Sequence, residues 1–436
     1  MIDSKRKPSS AGNVLEVSKK RENVQKKESC CLDQLLDDFS HRRELTLEPF
    51  KAFLASIHNP HLTLPPVIHV AGTNGKGSTI AILRVLLESQ GLKVHAYTSP
   101  HLMSPRERFT IASNQISEEV LSQALADIYE NARQFDLSWF EVLTGLFFKL
   151  ASSTKADIVL LETGLGGEFD ATNVIQDPVA CVITPISYDH QALLGGDLKD
   201  IARAKAGIIK SRSHVFSHPQ HKDVEEVLKN QCTKVAAFFV AGKSYPLKYF
   251  DQKQVEILSR ACALPGEHQA QNTTVCLAVL DYVWSAQHFA KLRVPELTDA
   301  LQNIHWPGRL EVVLKNNTQT IYYDVAHNAQ AVDQVLSYIK QKNGKKAAVL
   351  CVPKSKDLNT ILDQLTHQKY FNHVFCYEMN QRDFFSADTI LKELSKKNQL
   401  ASVIHSLNPE LFSGYRIGIF LGSHQMASAV YQWKEK

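Results

Sequence analysis

The sequence runs to 436 residues, 44% hydrophobic and 22% charged, the composition of an ordinary soluble protein and a length beyond the roughly 250–300 residues that one core sustains. Its formal charge is +4, and residues 1–31 supply all of it, with eight Lys or Arg against four Asp or Glu. The neutral remainder argues against a nucleic-acid partner, and no stretch approaches the roughly 18 apolar residues that span a membrane.

Residues 1–31 are polar, begin with Ser4-Lys5-Arg6-Lys7-Pro8, and read as a disordered tail. They lack the apolar segment of a secretory signal and carry acidic residues that a transit peptide avoids, so a cytoplasmic protein is expected. From Val67 onward short apolar runs alternate with helical patterns, as in a parallel sheet covered by helices. Strands are predicted at 67–70, 94–98, 158–161, 179–184 and 236–240, with helices around 79–90, 118–134, 140–151 and 200–209. A second series starts near Leu310, with strands at 320–323, 347–352, 373–377 and 416–421. Between the two series Trp306-Pro307-Gly308-Arg309 breaks any helix and marks the boundary. The expected fold is therefore α/β: a P-loop-type, mostly parallel sheet with helices on both faces over residues 32–305, and a smaller Rossmann-like α/β domain over 306–436. The eight cysteines, Cys30, Cys31, Cys181, Cys232, Cys262, Cys276, Cys351 and Cys376, show no C-x-x-C spacing and read as reduced packing residues.

The chemistry begins at Gly72-Thr73-Asn74-Gly75-Lys76-Gly77-Ser78, between the first strand and the first helix. The glycines let backbone N–H groups turn toward phosphate oxygens, a helix from Ser78 aims its positive end at them, Lys76 adds charge and Ser78 can ligate Mg²⁺. An ATP loop is expected, though not the common one. That pattern has four residues between its first Gly and its Gly-Lys pair, whereas here only Thr73 and Asn74 intervene and Gly77 is inserted before Ser78.

Glu162 follows the strand at 158–161 and precedes Gly164-Leu165-Gly166-Gly167. A carboxylate at that edge of a parallel sheet sits where ligands bind and would hold Mg²⁺ directly or through water; the alternative is a solvated strand end. His190, after Asp189, is either a ligand or a structural imidazole. On residues alone Lys205 reads as a solvated helix lysine. The stretch Gln269-Ala270-Gln271-Asn272 is a helix cap or a contact to a base or sugar, and Asp324-Val325-Ala326-His327-Asn328 could face the nucleotide across an interdomain cleft.

In this order the pieces resemble the Mur-type ligases, and within them the folylpolyglutamate and dihydrofolate synthases. Further carriers are Thr98-Ser99-Pro100-His101-Leu102, Phe140-Glu141-Val142-Leu143-Thr144, Asp170-Ala171-Thr172-Asn173, Lys205-Ala206-Gly207-Ile208-Ile209, His268-Gln269 with Asn272, and Trp306-Pro307-Gly308-Arg309. The resemblance implies two domains closing over ATP, bound by Thr73, Asn74, Gly75, Lys76, Gly77 and Ser78 and contacted by Asn272, Arg309, Asp324 and His327. It implies Ser99, Glu162 and His190 as metal ligands beside Ser78, and Lys205 as a carbamate on a second metal, against its bland reading. Lys76, Lys205 and His190 would be catalytic, while Phe169, Asp170, Ala171 and Phe140 would face the folate, where rings can stack a pterin. The implied partners are ATP, Mg²⁺, L-glutamate and dihydropteroate or a folate, with the enzyme a monomer and the product an amide formed through an acyl phosphate.

Several positions depart from the family pattern. Glu168 and Phe169 stand where Arg and Leu are usual, Val325 replaces a Gly, Gln191 a Thr, and His424-Gln425 a Leu-Tyr pair. No proposed ligand is lost. A Mur-type ligase for a cell-wall precursor is disfavoured by Asp170-Ala171-Thr172-Asn173 and Trp306-Pro307-Gly308-Arg309. A nucleotide-binding switch or inactive relative is disfavoured by the absence of Asn-Lys-x-Asp and the presence of Lys76, Glu162, His190 and Lys205.

Overall fold

The structure, a computed structural model, describes residue 39 and residues 46–241, 247–287 and 292–435. The basic segment 1–31, with Cys30 and Cys31, lies outside the described residues. The first sheet contains β1 (Val67–Ala71), β2 (Val94–Tyr97), β3 (Phe109–Ile111), β4 (Asn114–Gln115), β5 (Ile158–Glu162), β6 (Ala180–Ile183), β7 (His214–Ser217) and β8 (Phe238–Ala241). Their order is β4-β3-β2-β5-β1-β6-β7-β8, parallel throughout except for the antiparallel pairs β2–β3 and β3–β4. The second sheet, ordered β13-β12-β11-β14-β10-β9, holds β9 (Glu311–Lys315), β10 (Thr320–Asp324), β11 (Lys346–Leu350), β12 (His373–Tyr377), β13 (Ala401–Ile404) and β14 (Ile417–Leu421). Only β9 runs antiparallel to its neighbour.

Side-chain alternation explains why both faces of the first sheet are covered. Ile68, Val70, Ile158 and Leu160 enter a core with the helices Lys76–Ser89 and Glu267–Ala286. Val67, Val159 and Leu161 point the other way, into a core with the helices Glu118–Ala132 and Trp139–Ser153. A strand buried on both faces reads as a continuous apolar run, which is how these strands appear in sequence. A third cluster joins β6 and β7 to the helices Leu198–Ala206 and Lys222–Lys234. The Trp139–Ser153 helix starts where it does because Ser138 and Glu141 form a reciprocal capping box.

The differences from expectation are local. The strand expected at 236–240 begins at Phe238 because Ala236 takes φ 55° as the chain leaves the preceding helix. β3, β4, β7, β9 and β13 are additional to the predicted strands.

Candidate active site

The phosphate-loop residues leave β1 at Gly72, whose φ is +145° and where any Cβ would collide with Thr184 Oγ1 of the neighbouring segment. Thr73 N donates to Pro185 O at 3.0 Å and Thr73 Oγ1 to Ser187 O at 3.1 Å, which pins the loop to the end of β6. The helix starts at Lys76 rather than at Ser78. Gly77 therefore lies inside the first turn, not in the loop, and its missing side chain makes room for Trp306, whose Nε1 would sit 3.3 Å from a Cβ. Lys76 curls over its own loop, donating to Gly72 O at 3.2 Å and Thr73 O at 3.4 Å. Ser78 is buried and accepts from Gln269 Nε2 at 3.4 Å.

At the end of β5 Glu162 is 2% exposed, and its Oε2 accepts Ser99 N at 3.1 Å. Burial pushes its pKa up, against the pull of Lys76, the Ser99 amide, Arg309 and Arg108. Asp170 is buried too, but its oxygens are taken up locally. Oδ2 accepts Gly164 N and Leu165 N, both at 2.8 Å, while Oδ1 accepts Thr172 N at 3.0 Å and Thr172 Oγ1 at 2.5 Å. Thr172 Oγ1 thus has its proton committed, so the 2.8 Å contact from His69 Nε2 must be a donation, and His69 Nδ1 is left without a partner. Phe140 packs its ring on Gly164, Ala171 is buried beside it, and Phe169 is 47% exposed at the rim.

Lys205 is not solvated. It is 5% exposed and donates to Gly72 O at 2.9 Å. Burial, then the nearby Lys76 charge, lower its pKa to about 7, in the direction that favours the neutral amine. His190 takes a left-handed conformation at φ 51°, and burial lowers its pKa to about 4 despite Asp189.

The second domain meets this edge through polar contacts. Asp189 Oδ1 lies 2.5 Å from Lys356 Nζ, with both side chains under 10% exposed, and its Oδ2 accepts Asn328 Nδ2 at 3.4 Å. Burial alone would raise the Asp189 pKa, but His327, Lys356 and His190 hold it well below the carboxylate range. Asn74 and Asn328 exchange amide hydrogen bonds at 3.0 and 2.9 Å, and Asn74 also donates to Gln330 Oε1 at 2.8 Å. Asp324 accepts Leu310 N and Ala326 N, each at 2.8 Å, and its pKa is raised by burial and opposed by Arg309.

These residues line one interdomain cavity of about 810 Å³. It brings together Thr73, Asn74, Gly75, Lys76, Gly77, Ser78, Ser99, Phe140, Glu162, Phe169, Asp170, Ala171, His190, Lys205, Arg309, Asp324 and His327. Asn272 is not in the wall; it is buried behind Gly75 and donates to Gln269 Oε1 at 2.8 Å. Arg108 and Lys356 also line it and were not singled out by sequence, while His424, noted there only as a departure from the family pattern, lines it too. Among the described residues no three His, Cys, Asp or Glu side chains converge as a metal site. A divalent cation would have to draw on Glu162 with the hydroxyls of Ser78 and Ser99, hard oxygen donors of the kind Mg²⁺ accepts.

Two family models match the chain: the Mur ligase middle domain over residues 70–280 and the Mur ligase glutamate ligase domain over 308–411. A dihydrofolate synthase/folylpolyglutamate synthase of Bacillus subtilis is 28% identical over 83% of this chain and 86% of its own length. The folylpolyglutamate synthase of Lacticaseibacillus casei is 30% identical over 75% of this chain and 78% of its own, and a probable dihydrofolate synthetase of Schizosaccharomyces pombe is 30% identical over 73% and 79%. The solved folylpolyglutamate synthase of Mycobacterium tuberculosis, complexed with ADP, superposes with a TM-score of 0.81 at 25% identity, covering 94% of this chain and 99% of that one. With both domains matched in order and the relatives covered over most of their length, the chain belongs to the folylpolyglutamate synthase and dihydrofolate synthase family of Mur ligases.

Proposed function

We propose that this chain is an ATP-dependent ligase that joins L-glutamate to dihydropteroate, to a tetrahydrofolate, or to both. The observation that carries the reading is the cavity wall itself, where a phosphate loop, a buried strand-end carboxylate and a buried lysine of lowered pKa face a second domain across one space. A wall of backbone N–H groups, cations and a strand-end carboxylate suits phosphoryl transfer by positioning and charge neutralisation.

The phosphates of ATP lie along Gly72–Ser78, whose N–H groups and Lys76 receive them, with Arg309 and Asp324 on the nucleotide from the second domain. Glu162, Ser78 and Ser99 hold a first Mg²⁺; Lys205, as its carbamate, and His190 hold a second. Bound there, the metals supply charge neutralisation at the γ-phosphate. The carbamate would form when the neutral Lys205 amine, which the lowered pKa favours, adds to CO₂ and releases a proton, replacing a metal-repelling ammonium with two oxygen donors. The substrate carboxylate attacks the γ-phosphorus and ADP departs, leaving an acyl phosphate. The glutamate amine then attacks the acyl carbon, phosphate leaves, and the amine loses its proton. The domain seam at Asn74, Asn328, Asp189 and Lys356 keeps water from the acyl phosphate. Phe140 and Phe169 offer ring surface to the pterin.

We take residues 32–305 and 306–436 as the two working units, the second sheet beginning only at Glu311. A cytoplasmic setting is supported by the free thiols of Cys181, Cys232, Cys262, Cys276, Cys351 and Cys376. The test is phosphate release from MgATP and glutamate with and without each pterin. Release that requires dihydropteroate or tetrahydrofolate is expected; a protein inert with both would overturn the proposal.

A further inference from the structure

Gln220 lies on the connection between β7 and the helix Lys222–Lys234, outside the cavity wall. Its backbone is held from both sides. His218 N donates to Ile183 O at 2.9 Å, Pro219 follows with its restricted φ, and His221 caps the helix by accepting Asp223 N at 3.4 Å. The side-chain amide meets the segment that leaves β6. Its Oε1 accepts Ile186 N at 3.0 Å, and its Nε2 donates to Thr184 O at 3.1 Å and to Ser217 Oγ at 3.4 Å, with Ile183 O at 3.5 Å. A reversed amide would set N–H against N–H and oxygen against oxygen, so these partners fix its orientation.

Residues 184–187 turn their other hydrogen-bonding groups toward the phosphate loop. Pro185 O accepts Thr73 N at 3.0 Å and Asn74 N at 3.3 Å, while Ser187 N donates to Thr73 Oγ1 and Thr73 Oγ1 to Ser187 O, both at 3.1 Å. Thr184 N donates to Ala71 O at 2.8 Å, and Thr184 Oγ1 fills the place a Cβ on Gly72 would take. Gly72 in turn carries the carbonyl that receives Lys205 Nζ and Lys76 Nζ. The segment is a strap, with the phosphate loop on one side and Gln220 on the other.

We infer, on the ATP-ligase reading above, that Gln220 is a positioning residue for the phosphate loop, acting through the strap and touching no substrate. The N–H groups of Thr73 and Asn74 are committed to Pro185 O, so the place of the strap decides where the remaining N–H groups of the loop point. Without Gln220, Thr184 O and Ile186 N lose their partner and the strap shifts to find another. A nucleotide would then have to order the loop as it binds, and that ordering subtracts from its affinity.

Gln220→Met keeps the length of the side chain and removes both hydrogen-bonding groups. Calorimetric titration of the full chain with MgATP should show Kd raised about tenfold, while steady-state KM values for glutamate and for dihydropteroate stay within about twofold. His221→Ala disturbs the same connection by removing the helix cap but leaves Gln220 in place, and its Kd for MgATP should match the wild type within about twofold. An unchanged Kd in Gln220→Met would overturn the inference, and so would an equal rise in His221→Ala, since the effect would then be a general loosening of the connection. If the methionine variant fails to fold, the isosteric Gln220→Glu, which loses the donor to Thr184 O, is read by the same criteria. A wild type that binds no MgATP would sink the ligase reading instead, which keeps the two failures distinct.

Discussion

Two buried carboxylates, Glu162 and Asp170, sit in neighbouring regions of the first domain and do opposite things. Asp170 accepts four hydrogen bonds from its own turn, and a carboxylate so satisfied has little capacity left for a ligand. Glu162 accepts one, from Ser99 N, and faces Lys76, Arg309 and Arg108. Both have pKa values raised by burial, so the shift alone does not tell a working carboxylate from a structural one. The number of open lone pairs does. On this comparison Asp170 acts as the clamp that holds the glycine-rich turn under Glu162 rather than as a hand for the folate.

The comparison can be broken experimentally. The largest effect belongs to the working edge: Lys205→Ala should lower turnover by about 10³-fold or more, with no rescue by bicarbonate, and a near-normal rate would remove the carbamate from the mechanism. Next, Glu162→Gln and Asp170→Asn should part company. The first should lower kcat by about 10²-fold or more with little change in melting temperature. The second should cost about 2–4 kcal/mol of stability by denaturant titration while the folded fraction keeps its rate within tenfold. Equal stability losses, or an Asp170→Asn enzyme that is stable and dead, would erase the distinction.

A smaller effect sharpens it. His69 donates into the Asp170 network from a fully buried site, where burial, with Lys210 adding to it, lowers its pKa to about 3. The unfolded chain binds that proton near pH 6.5 and the folded one does not, so stability is complete above about pH 6.5 and is lost as the pH falls toward 3. Each such histidine contributes up to about 1.4 kcal/mol per pH unit in that window. His69→Gln keeps an N–H donor and removes the titration, so its denaturation midpoint should fall less than the wild type's between pH 6.5 and 4.5. Parallel curves would exclude His69 as the source.

The parallel strands were legible because burial on both faces writes an uninterrupted apolar run, as at 158–161. The strands that were not are short or lie toward a sheet edge: β3 and β4 span 109–111 and 114–115, too few residues to display a period. The loop at 72–78 stood out as a candidate phosphate loop, but its helix was placed late because a glycine at 77 looked like loop, whereas it lies in the first helical turn and leaves room for Trp306. Arg108, within Arg106-Glu107-Arg108, and Lys356, within Lys354-Ser355-Lys356-Asp357, carry no pattern that sets them apart from surface charge. Nothing local announces that one lies under Trp139 and the other is paired across a domain seam. The burial of Lys205 was not legible either, since it is a property of the packing of Gly72 against it, and only the resemblance set this lysine apart from a solvated one.

Trp306 gives the Gly77 contact a mechanical meaning. The chain that leaves the first domain for the second is moored, through this indole, on the helical turn that carries Lys76. A larger side chain at position 77 would press on that indole, whose Nε1 lies 3.3 Å from where a Cβ would sit. At that one residue the candidate phosphate loop and the joint between the domains are built against each other.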